Sequence, residues 1–573
     1  VPPWLAEGTA QFMYDDADWD HWDTHRDMIL RDRSINNNIL TFDEMNTFGK
    51  KGIGNESTYN AGFALTRYIA YKYGSSTLKK IMAELSNPFQ FSIEDAIYNV
   101  LDIDGYDLYE DFINTIKDRY NRLIKPIEVN YLKPNIIKDK GTANLFPVWS
   151  PDNNSFLYLS NKDNDYFGQT DLYIHDFTDS SDKKISGGVF SAPAWNPNGH
   201  IVYYSKKPKF PDKNGSKYYD LYEYHLSTKK EKRITQSSRA FSPVFVTKDS
   251  SIAYLATYDG SQDIYQLNLK SREIIKITNF EDRPMLSSLT YNVKDHSLYF
   301  DICTNHYRDI GMISLSDTVY KMVLNSPNWD ERNLTFTKNG SIIYSDDRSG
   351  IFNLYLIDTL NQKQGYLTNV YGGSFMSDIS QNGKILYSLY DNGGYKIAMI
   401  DSPGIIDESI VGYSPSYYLK NKELSDPIVE LDTTRSTSYI DQFPNMFVMP
   451  KLMIDYGTTK PGFYFYSSEI LDRLSLFGGI SMNNLLDSDL FFIFEFNRLF
   501  PTLFFETYYL TRNTSDQLKY QDIYDIDSNI KFRMVMFRPG LRIPFYGSTI
   551  ELFSSWQRYR AFINESLPTE MIE

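Results

Sequence analysis

The sequence is short of several things that define large protein classes. It has one cysteine, Cys303, so no disulfide can form within the chain. That excludes a disulfide-stapled secreted scaffold and leaves cytoplasm and bacterial envelope open. It has no run of 18 or more apolar residues, hence no candidate transmembrane helix. It has an excess of acid over base: 58 Lys and Arg against 73 Asp and Glu give a formal net charge of −15, which argues against nucleic acid, whose phosphates need clustered Lys and Arg. H-E-x-x-H and G-x-S-x-G are both absent, and no histidine follows His306. Phosphate-cradling glycine loops are missing too, because Gly372-Gly373 and Gly393-Gly394 are isolated pairs that read as turns. No signal peptide is visible, and the first residue is Val1 rather than Met. The chain therefore reads as a fragment open at both ends.

What is present is a long, aromatic-rich chain of 573 residues, 42% apolar, with 46 Tyr and 37 Phe. Its length predicts three or four domains, and its aromatics suit pleated strands. Residues 1–125 read as helical. Thr41-Phe42-Asp43-Glu44 and Ser92-Ile93-Glu94-Asp95 are capping-box patterns, in which a hydroxyl and an acid three residues on satisfy free N–H groups. Phe63, Ile69 and Tyr73 fall near helical spacing before Gly74, a natural C-cap. A further helix is expected from about Leu108 to Leu123, with Lys125-Pro126 closing the block.

Beyond Pro126 a repeat begins. Phe146-Pro147-Val148-Trp149-Ser150-Pro151-Asp152 precedes the strand Phe156-Leu157-Tyr158-Leu159. It recurs as Ala192-Pro193-Ala194-Trp195-Asn196-Pro197 and as Ser242-Pro243-Val244-Phe245, with weaker copies centred on Tyr291, Phe336 and Ile379. The successive separations are 46, 50, 46, 45 and 43 residues. Asp171-Leu172-Tyr173, Asp220-Leu221-Tyr222, Asp263-Ile264-Tyr265 and Asn353-Leu354-Tyr355 mark a second strand in four of the units. A period near 45 with about four short strands is the signature of a propeller blade, and six copies predict six blades. The pattern resembles the TolB-like, WD-repeat-like family over residues 126–403. The strand near Ile136-Ile137 is placed to complete the sixth blade.

Residues 404–445 read as a linker, and the texture changes again from about Met446. Leu490, Phe492, Phe494 and Phe496 alternate with more polar positions such as Glu495 and Asn497. Leu474, Leu476, Ile480 and Met482 alternate with Arg473, Ser475, Ser481 and Asn483, and the run 530–536 alternates around Lys531 and Arg533. Strands of about ten residues, apolar outward and polar inward, predict part of an outer-membrane barrel over 446–573. A soluble antiparallel sheet with one wet face has the same period. The stretch Phe496-Asn497-Arg498-Leu499-Phe500-Pro501 resembles the bacterial surface-antigen (BamA-like) barrel.

The opening Pro3-Trp4-Leu5-Ala6-Glu7-Gly8-Thr9-Ala10 resembles the W-L-x-E-G-x-A segment of gluzincin metallopeptidases, with Tyr59-Asn60-Ala61-Gly62-Phe63 similar to the helix that follows. The resemblance implies that Glu7 is the third ligand of a zinc site. The other two ligands, and the general base, belong to an H-E-x-x-H helix that this chain lacks. Read without the resemblance, Glu7 is an acid in a first helical turn, where it favours the dipole. His21 and His25 stand four apart among Asp15, Asp16, Asp18, Asp20 and Asp23, and an acidic loop accounts for them better than a metal. Asp152, Asp259, Asp346 and Asp347 read as turn residues. A propeller-linked serine hydrolase is excluded for want of both G-x-S-x-G and a downstream histidine.

The expectation is a multidomain, mainly β protein: an α-helical N-terminal block, a six-bladed β-propeller and a partial C-terminal antiparallel β-barrel. The resemblances imply a bacterial outer-membrane protein with a periplasmic propeller that takes a peptide or protein partner. They imply zinc-dependent peptidase activity in the parent protein, and an inactive fragment here. The alternative is a non-enzymatic outer-membrane or periplasmic scaffold whose propeller binds proteins.

Overall fold

The computed structural model describes residues 1–14, 22–49, 54–87, 90, 92–212, 215–258, 260–304, 307–326, 328–413, 446–455, 458–520, 524–545 and 548–566. The chain forms two compact units, Val1–Lys209 with Lys217–Ser425, and Phe210–Ser216 with Asp426–Glu573.

The first unit opens with helices α1 (Pro3–Tyr14), α2 (Thr24–Ile35), α3 (Phe42–Met45), α4 (Glu56–Tyr73), α5 (Ser76–Leu85), α6 (Ile93–Leu101), α7 (Gly105–Leu123) and α8 (Lys125–Val129). Thr41 and Glu44 form the reciprocal capping box of α3. Ser92 caps α6 by accepting from the Asp95 N–H, and Gly74, at φ 91°, ends α4. Trp4, Leu5, Phe63, Ile69, Ile81 and Phe112 share one core. Helical structure continues beyond Pro126, because a proline in the first turn of α8 gives up an N–H that has no helical partner there. Among the described residues no helix is long and apolar enough to cross a membrane.

Six four-stranded antiparallel sheets follow. Blades 1 to 5 use consecutive strands, at 144–186, 194–233, 240–276, 285–324 and 331–366. Blade 6 joins 373–400 to the early strand Asn135–Lys138, which pairs with Gly394–Ile400 and closes the ring as the sequence predicts. Apolar side chains fill the space between neighbouring blades. Trp195 and Val202 pack on Leu157 and Leu172, while Trp149 and Phe156 meet Leu386 and Ile397 at the seam.

The Asp-x-Tyr repeat has a structural task. Asp220, Asp263 and Asn353 are buried. Each accepts from a threonine on the approach to the next blade: Thr235 at 3.0 Å, Thr278 at 2.9 Å and Thr368 at 2.9 Å. The same hydroxyls accept from the N–H groups of Leu221, Ile264 and Leu354. A buried carboxylate or amide is thereby satisfied while it ties the third strand to the segment leaving the fourth.

The helical block is bolted to blades 5 and 6 through α2. Arg31 donates from Nε to the Tyr371 carbonyl at 2.6 Å and from Nη2 to the Gly372 carbonyl at 2.9 Å. Its charge is balanced by Asp27 at 2.5 Å, which also accepts from the Tyr120 hydroxyl. Asp32 takes the N–H groups of Asn392 and Gly393 at 2.8 and 2.7 Å.

The second unit is an antiparallel sheet in the order Phe447–Asp455, Thr458–Ser468, Leu474–Met482, Ser488–Phe496, Thr502–Tyr520, Tyr524–Phe545 and Ser548–Phe553, with Trp556–Ser566 also paired to Tyr524–Phe545. Among the described residues these strands form an open antiparallel sheet. Alternation fixes which face each side chain takes but does not dictate closure. Burial is inverted relative to a water-facing sheet. Lys460, Ser481 and Asp489 are 0%, 2% and 6% exposed, whereas Phe463, Ile480 and Leu490 are 55%, 48% and 40% exposed. Of the expected linker, residues 414–445 lie outside the described residues.

Candidate functional site

Blade geometry sets the central channel. The innermost strands of blades 1, 3, 4, 5 and 6 each contain a bulge, at Leu145/Val148, Phe241/Val244, Ser287/Thr290, Arg332/Thr335 and Phe375/Asp378. Each bulge holds a residue at positive φ: Phe146, Ser242, Ser288, Asn333 and Met376, between 47° and 56°. Bulges re-aim the strand and free backbone groups for other partners. Here those groups help to form a belt between blades. Met376 N–H donates to Asn333 Oδ1 at 3.3 Å, and Ser242 N–H to Ser191 Oγ at 2.8 Å. Trp149 N–H donates to Asp378 Oδ2 at 2.6 Å, and Trp195 Nε1 to the Val148 carbonyl at 3.3 Å.

The belt encloses a cavity of about 470 Å³. Trp149, Trp195, Phe245, Tyr291, Phe336 and Ile379 all line it, one from each blade. These are the six positions whose spacing revealed the repeat. Among the described residues, Asp378 is the one carboxylate in the lining, which contains no Lys, Arg or His. Burial pushes the Asp378 carboxyl up to about 6, against the pull of the Trp149 N–H. Prolines, aromatic edges, hydroxyls and bulge backbone make up the wall, the mix of apolar surface and hydrogen-bonding groups found in binding cavities.

The residues read from the sequence as metal candidates are not brought together. Glu7 stands half-buried on α1, whose Trp4 is in the core and whose Gly8 abuts α4. His25 lies in the first turn of α2, near Phe352, Phe375 and Tyr395, and His21 lies outside the described residues. Among the described residues no three His, Cys, Asp or Glu side chains converge on a metal position. A zinc held by His, His and Glu does not fit the residues present here, which supply one of its donors. Asp346 pairs with Arg348 and Asp347 accepts the Asp330 N–H, as befits turn and strand-end residues; Asp152 bonds its own turn through Ser150 and Asn154. Asp259 is outside the described residues.

Two features escaped the sequence reading. The bulge residues differ in type, and only the proline after Phe146 and Ser242 hints at them. The glycine pairs that read as plain turns are docking points for Arg31 and Asp32 of α2.

Fold and cavity together define a six-bladed β-propeller protein, carrying N-terminal helices on the propeller and a separate antiparallel sheet. The propeller is TolB-like: the chain is 37% identical over 103 residues to the Tol-Pal system protein TolB of Ruthia magnifica subsp. Calyptogena magnifica. That match covers 18% of this chain and 22% of the relative's length, so the chain spans about a fifth of the curated relative it matches. Among solved structures, TolB from Acinetobacter baumannii matches with 15% identity, 47% of this chain, 56% of that chain and a TM-score of 0.30. A putative TolB from Agrobacterium tumefaciens matches with 15% identity, 45% of this chain, 91% of that chain and a TM-score of 0.34. No family model matches the chain.

Proposed function

We propose that this chain belongs to a bacterial envelope scaffold whose propeller holds a protein partner in its central channel. The observation that carries the reading is the cavity itself, in which six repeat side chains, one per blade, surround a space of about 470 Å³. The TolB likeness supports a periplasmic setting and a partner among envelope proteins. A photo-crosslinking residue at Leu289, in the cavity wall, tests it in cells. The expected outcome is one discrete adduct with an envelope protein, lost when Val244 is replaced by Trp to fill the channel. Adducts from exposed Lys183 but not from Leu289 would sink the reading.

The C-terminal sheet is read as the start of an outer-membrane barrel. Support comes from its inverted burial and from strands of 9 to 11 residues in its first half, the length that crosses a bilayer when tilted. Residues 446–573 expressed alone should fold only with detergent or lipid; a folded monomer in plain buffer would favour the soluble sheet.

For the helical block, the gluzincin-like motif supports Glu7 as a zinc ligand in the parent protein, with both histidines supplied from outside this chain. Zinc content of the natural full-length protein, compared with its Glu7→Gln variant, is the check. Loss of about one zinc in the variant is expected, and unchanged zinc content would remove Glu7 from the site.

A further inference from the structure

At the end of the propeller where α2 docks, beside the bulge of blade 5, two arginines meet. Arg308 opens the third strand of blade 4 and pairs across the hairpin with Cys303. Arg332 lies on the innermost strand of blade 5. Asp330 draws them together: it accepts from the Arg308 N–H at 2.7 Å and from Arg332 Nε at 2.9 Å. That leaves the two side chains unequally served. Arg332 has Asp330 as counter-ion and lies over the Phe352 ring, 4.6 Å from its centre. Among the described residues, Arg308 has no carboxylate within ion-pair distance of its guanidinium. The remaining buried acid nearby is Asp301, which is already spent on the Asn333 N–H at 2.9 Å and the Ser287 hydroxyl at 3.3 Å. Burial pushes the Asp301 carboxyl up to about 7, so it is a poor source of compensating charge. Arg332 and burial together lower the Arg308 pKa.

Facing this pair is the first turn of α2. His25 packs with its ring centre 6.1 Å from Phe352 and 5.8 Å from Phe375. Its Nε2 lies 3.3 Å from the Tyr395 hydroxyl, and its Nδ1 is buried without a hydrogen-bond partner. Burial and the two arginines lower its pKa to about 4, so the ring is neutral at physiological pH and can offer an N–H without adding charge. The surroundings therefore combine a half-buried guanidinium lacking a counter-ion, a second guanidinium beside it, an unsatisfied imidazole nitrogen and an aromatic floor of Phe352 and Phe375.

We propose that this is a binding site for a carboxylate, with Arg308 as the principal ligand, Arg332 and His25 flanking it, and the aromatic floor taking an apolar group attached to the carboxylate. The guanidinium fork matches a carboxylate in two parallel hydrogen bonds. An incoming anion would relieve the repulsion between the arginines, so its binding would be strongest where water is excluded. A peptide with a free C-terminal carboxylate and an aromatic last residue has the required chemistry.

The test uses the whole chain and the probe acetyl-Gly-Phe with a free carboxylate, titrated by calorimetry against the same dipeptide as its C-terminal amide. Saturable binding of the acid, at least tenfold tighter than the amide and weakened by salt, is expected. Arg308→Gln should lose at least tenfold of that affinity while melting within a few degrees of the parent, and Arg308→Lys should recover only part of it. Cys303 gives a second readout, because it is the sole thiol and lies opposite Arg308: the acid should slow its alkylation and the amide should not. Equal binding of acid and amide, unchanged affinity in Arg308→Gln, or inorganic phosphate binding as tightly as the acid would each overturn the assignment.

Discussion

Asp301 shows how one side chain can record its environment. It is 2% exposed, and burial outweighs its hydrogen bonds and the neighbouring arginines, lifting its carboxyl to about 7. An acid that holds its proton more tightly folded than unfolded favours the folded state most below the unfolded pKa, near 4, and that advantage is lost as pH rises from about 4 through 7. Asp32 and Asp378, both raised to about 6, act in the same direction over a narrower window. Asp301→Asn keeps an oxygen for the Asn333 N–H and removes the titration. In urea unfolding at pH 5 and pH 7.5, the parent should lose more stability between the two than the variant, by on the order of 2 kcal/mol. Equal losses would mean that Asp301 is ionised in the folded protein.

At the level of elements, close approach decides what packs. A Cβ on Gly62 would stand 2.7 Å from the Trp4 carbonyl oxygen, and one on Gly8 would stand 2.4 Å from the Gly62 oxygen. The contacts are with backbone, so no side chain can swing aside. Gly62→Ala should therefore push α1 from α4 and cost about 1–3 kcal/mol, read as a lower melting temperature with loss of Trp4 fluorescence shielding. An unchanged melt would show that α1 can slide. The glycines of the W-L-A-E-G segment and of its partner helix are thus explained by packing, whatever the role of Glu7.

For the whole molecule, the ring is only as strong as its seam. Blade 6 borrows Asn135–Lys138, where Ile136 pairs with Ala398 and Ile137 joins the core around Trp149 and Leu386. A proline at each of Ile136 and Ile137 removes ladder hydrogen bonds there. Calorimetry of the double variant should show an earlier and broader transition for the first unit, with the second unit unaffected. A single unshifted transition would mean that the blades hold without the seam.

The sequence by itself determined the blade count, the strand that closes the ring, the caps of α3 and α6, and the alternation of the C-terminal strands. Each of these follows from local chemistry or from a period repeated often enough to read. Pairing six aromatic or apolar positions by spacing also named the cavity wall, although not that it was a wall. Only the tertiary structure decided that the bulges turn Phe146 and Met376 into left-handed residues, that Gly372 and Gly393 receive Arg31 and Asp32, and that Arg308, Arg332 and His25 meet at one end of the channel. These groups come from segments up to hundreds of residues apart. No local pattern encodes such a meeting, because it is fixed by how blades and helices dock rather than by what each prefers alone.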